Sequence, residues 1–264
     1  MKKNNSRERN RNDNIKKIVA IILIIAMVGM TIFMTAGMAF ADDEDNAEPD
    51  ETEETEAAEE SGEEAEQAEE NLVTAEGAVL YCENTGEIVY EKNMEKSLNP
   101  LDITKLMTAL LAIQNLSMDQ EVTVSAAAVA QPGHSMGLQE GETVTVKDLI
   151  HGVLLCSGND AAYAISEAVS GSAESFVDLM NATAANIGCE NTWFANPMGI
   201  VDKNNYSTAY DMMQIAKVAL SNPIISEASQ KKDYVVKATN LSDERTIVNS
   251  MAEMMDSRPG IYAP

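Results

Sequence analysis

Between Asp42 and Glu70 the chain carries 17 acids and no base, with no aromatic and no branched aliphatic residue. Such a tract has no apolar surface to bury, and its like charges repel one another, so it cannot contribute to a core. Folding is thereby confined to what lies on either side. Residues 42–71 read as an acidic, disordered linker that acts as a solvating spacer, with cation binding as the alternative. On its amino side, Lys2, Lys3, Arg7, Arg9, Arg11, Lys16 and Lys17 precede an apolar run from Ile18 to Phe40. This is the pattern of an export signal, and Ala39-Phe40-Ala41 supplies the small-x-small site for cleavage after Ala41. An uncleaved membrane anchor is the alternative for residues 1–41, since the run approaches the roughly 20 residues that span a bilayer. Under either reading the positive flank stays inside, and everything from Asp42 onward lies outside the cytoplasm.

Residues 72–264 must then hold the fold, and they are enough for one sizeable core. The formal charge of −25 is concentrated in the linker. No cluster of Lys and Arg stands where a nucleic acid would need one, so nucleic acid is excluded as a partner. Cys82, Cys156 and Cys189 are too few for a disulfide framework and read as free, packed thiols. Neither they nor His134 and His151 fall at metal-ligand spacing, so no metal and no cofactor are expected.

Ala78 to Cys82 and Glu87 to Glu91 alternate as strands around the turn Glu83-Asn84-Thr85-Gly86, which predicts a hairpin. Pro100 precedes a helical pattern with Ile103, Leu106, Met107, Leu110 and Leu111 on one face, so a buried helix starts close to Asp102. A second amphipathic helix follows Thr145, with Thr145 and Asp148 spaced as a capping box. An Ala-rich helix is expected from about Asp160 to Val169. Two more are marked by Phe176 to Ile187, ending at Gly188, and by Met212 to Leu220. Tyr234-Val235-Val236 and Thr246-Ile247-Val248 read as short strands, and Met251, Met254 and Met255 as helix core. With no further strand in sight the hairpin lacks sheet partners, which is marginal in water, so a segment beyond Pro264 is expected.

The residues that carry chemistry begin at Asn99-Pro100-Leu101-Asp102-Ile103-Thr104-Lys105-Leu106-Met107-Thr108, where Asp102 and Lys105 share a helix face one turn apart. Ser157-Gly158-Asn159 places a hydroxyl and an amide on a short bend, which alone could be a helix connection in which Ser caps and Gly turns. Together with Gly133-His134-Ser135-Met136-Gly137-Leu138, Phe194-Ala195-Asn196-Pro197-Met198-Gly199 and Tyr206-Ser207-Thr208-Ala209-Tyr210-Asp211, these blocks resemble the low-molecular-mass penicillin-binding proteins, the serine D-alanyl-D-alanine carboxypeptidases. The resemblance spans roughly Ala78 to Leu220. It implies an α/β fold of the β-lactamase/transpeptidase type, with a helical core against an antiparallel sheet that is incomplete in this chain. It also implies a cell-wall location and a peptidoglycan stem peptide ending in D-Ala-D-Ala as partner, with β-lactams bound if the chain is active.

By that resemblance Lys105 is the activating amine, Ser157 the proton relay and Asn159 the substrate-amide partner. Asp102 occupies the nucleophile position, where the family has Ser, and Leu101 stands where a small Ala is usual. A carboxylate attacking an amide would have to form a mixed anhydride, higher in energy than the amide, so acylation should fail. Asp102 should instead pair with Lys105 and hold it protonated; a helix N-cap plus this ion pair explains the residue without chemistry. The Lys-Thr-Gly strand of the family is absent from residues 1–264. His134 reads as a solvent-facing loop residue, Met198 as a position without chemistry, and Trp193 and Phe194 as anchors for the following turn. Three functions follow: a peptidoglycan carboxypeptidase impaired at its nucleophile, a non-catalytic peptidoglycan-binding pseudoenzyme, and, ranked last, a class A β-lactamase-like hydrolase.

Overall fold

The computed structural model describes residues 20–22 and 73–257. The expected signal or anchor, apart from Ala20–Ile22, and the acidic linker up to residue 72 lie outside the described residues. Among the described residues no helix is long and apolar enough to cross a membrane.

The predicted hairpin forms from β2 (Ala78–Cys82) and β3 (Glu87–Lys92), paired antiparallel with a register shift between Leu80 and Tyr81. It does not stand alone: β1 (Ala20–Ile22) pairs antiparallel with β2, Ala20 opposite Cys82, which corrects the expectation of a hairpin without partners. β2 then packs through Val79 on Ala209 and Met213. Lys217 Nζ lies 4.3 Å from the centre of the Tyr81 ring, a cation–π contact on the same face.

The helical centre follows the apolar spacing. α1 (Thr104–Asn115) buries Met107, Leu110 and Leu111, while Ile103 and Leu106 are half-buried at its edge. After β4 (Glu121–Thr123) and the short α2 (Ala126–Val129), β5 (Thr143–Thr145) pairs antiparallel with β4. β5 runs directly into α3 (Val146–Cys156). The Thr145 hydroxyl accepts from the Asp148 amide (3.1 Å) and the Asp148 carboxylate accepts from the Thr145 amide (3.2 Å), so the predicted capping box closes. α4 (Asn159–Ser170) is the Ala-rich helix, and its Ala161, Ala162 and Ala164 let α1 and α3 pack closely against it. α5 (Ala173–Ile187) and α6 (Ala209–Leu220) complete the bundle, with α7 (Pro223–Ser229) across α3 and α6.

β6 (Asp233–Val236) and β7 (Arg245–Val248) form a third antiparallel pair, Tyr234 opposite Ile247, that packs on α3, and α8 (Ala252–Ser257) carries the buried Met255. The described strands form three small antiparallel sheets against a helical core, the mixed helix-and-antiparallel-sheet architecture expected. All three cysteines are free, as the composition suggested, with Cys82 and Cys189 buried.

Candidate active site

Asp102 sits in a 3₁₀ turn, Leu101–Ile103, that leads into α1. Asn99 Oδ1 accepts from the Leu101 amide at 3.1 Å, and Leu101 adopts a left-handed φ of 48°, a strained value for a branched side chain. Asp102 does not cap the helix, contrary to expectation: the N-cap of α1 is Ile103, and no side chain bonds there. The carboxylate turns instead to Lys105. Its Oδ1 lies 2.7 Å from Lys105 Nζ, with the Asp102 side chain 48% exposed and the Lys105 side chain only 4%.

The second partner of Lys105 is a main-chain carbonyl: Met198 O accepts from Nζ at 2.7 Å. The loop carrying it is folded by Asn196, whose Oδ1 accepts from the amides of Met198 (3.2 Å), Gly199 (2.8 Å) and Ile200 (3.0 Å). The Thr108 hydroxyl fastens the same loop to α1 by donating to Pro197 O at 2.6 Å. At Gly199, φ is +79°, and a Cβ would lie 2.5 Å from the Leu101 carbonyl carbon. Only glycine lets this loop lie against the turn that holds Asp102.

Ser157 ends α3 in a left-handed conformation (φ 54°), and Gly158 precedes α4 with φ −58°. Ser157 is the C-cap and also makes the left-handed turn, while Gly158 makes room. A Cβ on Gly158 would stand 2.9 Å from Asp160 Oδ1 and 3.3 Å from the Met136 amide. Asn159 is buried; its amide donates to His134 O (2.7 Å) and its Nδ2 to Pro132 O (2.6 Å), while its Oδ1 is buried without a partner. Asp160, also buried, accepts from the Ser135 hydroxyl (2.6 Å) and from the amides of Met136 (3.0 Å), Leu138 (3.1 Å) and Ala161 (2.8 Å). The Gly133–Leu138 segment is therefore stitched to the Ser157-Gly158-Asn159 corner, with the His134 side chain exposed as expected.

The two motifs adjoin. α1, which carries Lys105, packs against both α3 and α4. A model of the family described as D-alanyl-D-alanine carboxypeptidase matches residues 63–257. The chain belongs to that family. It is similar to the D-alanyl-D-alanine carboxypeptidase DacF of Bacillus subtilis, 38% identical over 172 residues, covering 63% of this chain and 44% of the relative. It is also similar to the D-alanyl-D-alanine carboxypeptidase of Streptomyces sp. strain K15, 35% identical, covering 62% of this chain and 61% of the relative. Among solved structures, the S216A mutant of the Streptomyces K15 DD-transpeptidase superposes with a TM-score of 0.63 at 31% identity, covering 68% of this chain and 76% of that one. These neighbours place the fold in the α/β transpeptidase-like class. This carboxypeptidase-family chain thus spans between two fifths and two thirds of the length of the two curated relatives.

Within the family site, burial pushes the Lys105 amine below the usual lysine range, while the hydrogen bond and charge of Asp102 hold it up against that trend. Burial is the larger influence, and Asp102 opposes it. Burial likewise pushes the Cys156 thiol up to about 11, with the nearby Asp160 adding to it. Two features escaped sequence reasoning. The Met198 carbonyl partner of Lys105 has no side-chain signature, and Trp193, expected to anchor the packing, is 48% exposed, unlike the fully buried Phe194. A groove of about 620 Å³ lined by Lys147, Asp148, Tyr234, Lys237, Thr239 and Asn240 includes none of the motif residues.

Proposed function

We propose that this chain is an exported, peptidoglycan-associated member of the carboxypeptidase family that keeps the stem-peptide groove but does not turn over D-Ala-D-Ala. One observation carries the reading: the group 2.7 Å from the buried Lys105 amine, at the nucleophile position, is a carboxylate. In the family's reaction a hydroxyl attacks the peptide carbonyl, its proton leaves through the lysine, D-alanine departs, and water releases the acyl group. Asp102 has no proton to give up when ionised. Its attack would leave an anhydride uphill of the amide it replaced, and its charge ties up the amine meant to act as base.

The other positions are consistent with a retained groove. Ser157 and Asn159 lie where α3 meets α4, the two helices packed on α1, and the His134 carbonyl accepts from the Asn159 amide. Asn159 Oδ1 is buried without a partner, so a substrate amide N–H reaches it only when this corner opens. Export directed by residues 1–41 belongs to the same proposal; a bilayer span over Ile18 to Phe40 would require Ala20–Ile22 to leave β2.

A second reading, residual hydrolysis, is favoured by one feature: burial moves Lys105 toward the neutral, basic form. One experiment separates the two. The full chain is incubated with a tripeptide ending in D-Ala-D-Ala; D-alanine release is followed enzymatically, and binding by calorimetry. Binding without release supports the proposal. Sustained release supports the hydrolase, and absence of binding removes both.

A further inference from the structure

The strand-like alternation around residue 193 is unusual in what it turns outward. Trp193 and Tyr206 form an isolated antiparallel bridge, each amide donating to the other's carbonyl at 2.8 and 3.0 Å. Period-two alternation sends Phe194, Asn205 and Ser207 inward, where all three are buried. The same register leaves Trp193 48% and Tyr206 42% exposed, side by side on one face because directly opposed residues share a face. Two large rings are thus held in solvent by a framework that gives them no freedom to fold in. Among the described residues, neither the indole N–H nor the phenol hydroxyl has a protein partner.

The pair is also tied to the candidate site. Ser207, next to Tyr206, exchanges both backbone hydrogen bonds with Leu98 at 2.8 Å, and Asn205 Nδ2 donates to Asn99 Oδ1 at 3.5 Å. Asn99 is the residue that shapes the Leu101–Ile103 turn. The segment that carries Tyr206 is thus joined, through its backbone and its inward face, to the residues that lead into the Asp102 turn. Size narrows its chemistry. Aromatic side chains of this kind present about 150–250 Å² each, so the exposed parts of the two rings together offer roughly 200 Å². That is well short of the roughly 800 Å² per partner of a stable protein interface, and it matches the flat C–H face of one or two sugar rings. Trp and Tyr supply rigid, amphipathic area at low entropic cost.

We propose that the paired rings of Trp193 and Tyr206 are a sugar-stacking platform that takes the β-linked amino-sugar chain of peptidoglycan and aligns its stem peptide with the Asp102 turn. The inference rests on the peptidoglycan reading above and adds the glycan as a second point of attachment. The chain contains a single tryptophan, so its intrinsic fluorescence reports on this platform alone. In the full chain, a tetramer of β-1,4-linked N-acetylglucosamine should shift Trp193 emission to the blue with saturable, millimolar binding. Tyr206→Ala should weaken that binding at least tenfold while leaving the circular dichroism and the melting temperature unchanged. As a second variant, Trp193→Phe keeps an aromatic ring and should bind the tetramer measurably by calorimetry, whereas Trp193→Ala should not. No saturable change in the parent chain, or equal binding by Tyr206→Ala, overturns the platform. If a sugar-free D-Ala-D-Ala peptide still binds in that case, the groove reading stands and only the platform falls; if neither ligand binds, both fall.

Discussion

Placing a methyl group at Gly199 should separate the two halves of the candidate site. The new Cβ would stand 2.5 Å from the Leu101 carbonyl carbon, which is main chain and cannot swing aside as a flexible side chain would. Alanine at a φ of +79° already costs about 1–2 kcal/mol. Relieving the overlap needs the 196–199 loop to move away from the turn by the better part of an ångström. The moved loop carries Met198 O, which accepts from the buried Lys105 ammonium, and Pro197 O, which accepts from Thr108. A hydrogen bond to a charged group contributes about 1.5–3 kcal/mol and a neutral one about 1 kcal/mol, so partial loss of both brings the total to about 3–5 kcal/mol. Urea unfolding followed by circular dichroism measures it. With a slope of about 2 kcal/mol per molar, the Gly199→Ala midpoint should fall by about 2 M. A fall of less than about 0.5 M would show that the loop does not bear on the turn in the way described.

Other substitutions probe single links of the same network. Asp102→Asn removes the influence that holds the Lys105 amine up, so its titration midpoint should move further down; NMR of reductively methylated lysines reads this, and an unmoved or raised midpoint refutes the pairing. Asp160→Asn puts an amide N–H₂ among four donors and should destabilise the fold by about 2–4 kcal/mol, with Ser135→Ala costing less; equal costs would contradict a shared carboxylate hub. Burial holds His151 below its usual 6.5, with the charges of Lys231 and Lys147 adding to the effect and Asp148 opposing it. The unfolded chain then takes up the proton more readily, so stability is fully present above about 6.5 and declines as pH falls from there toward the lower folded value. Melting temperatures from pH 8 to 5 should show that decline, and His151→Gln should flatten it; identical profiles in the two proteins would exclude His151 as the cause.

Much of this architecture could be read from residue order because local signals agreed with one another. The hairpin of β2 and β3, the Thr145–Asp148 capping box and the α1 face of Met107, Leu110 and Leu111 each rest on spacing within about ten residues, where periodicity is informative. Distant pairings were not available to such reasoning. Nothing in Ala20-Ile21-Ile22 signals a strand against β2, because an apolar run of that kind suits a membrane helix equally well. At the site, the Asp102–Lys105 contact followed from helix geometry, since three residues make one turn. The Met198 carbonyl did not, because a main-chain acceptor leaves no trace in residue type. Trp193 reads from the sequence, together with Phe194, as an anchor for the following turn. The bridge to Tyr206 sets it on the outward face, and only the register across the two strands decides this.

The central claim is that a carboxylate beside the buried lysine stops covalent acyl transfer. Incubating the full chain with a fluorescent penicillin, then measuring intact mass and resolving the protein by denaturing electrophoresis, tests this directly. The account predicts an unmodified mass and no fluorescent band, with the chain folded throughout. A stoichiometric penicilloyl adduct on Asp102, Lys105 or Ser157 would contradict it.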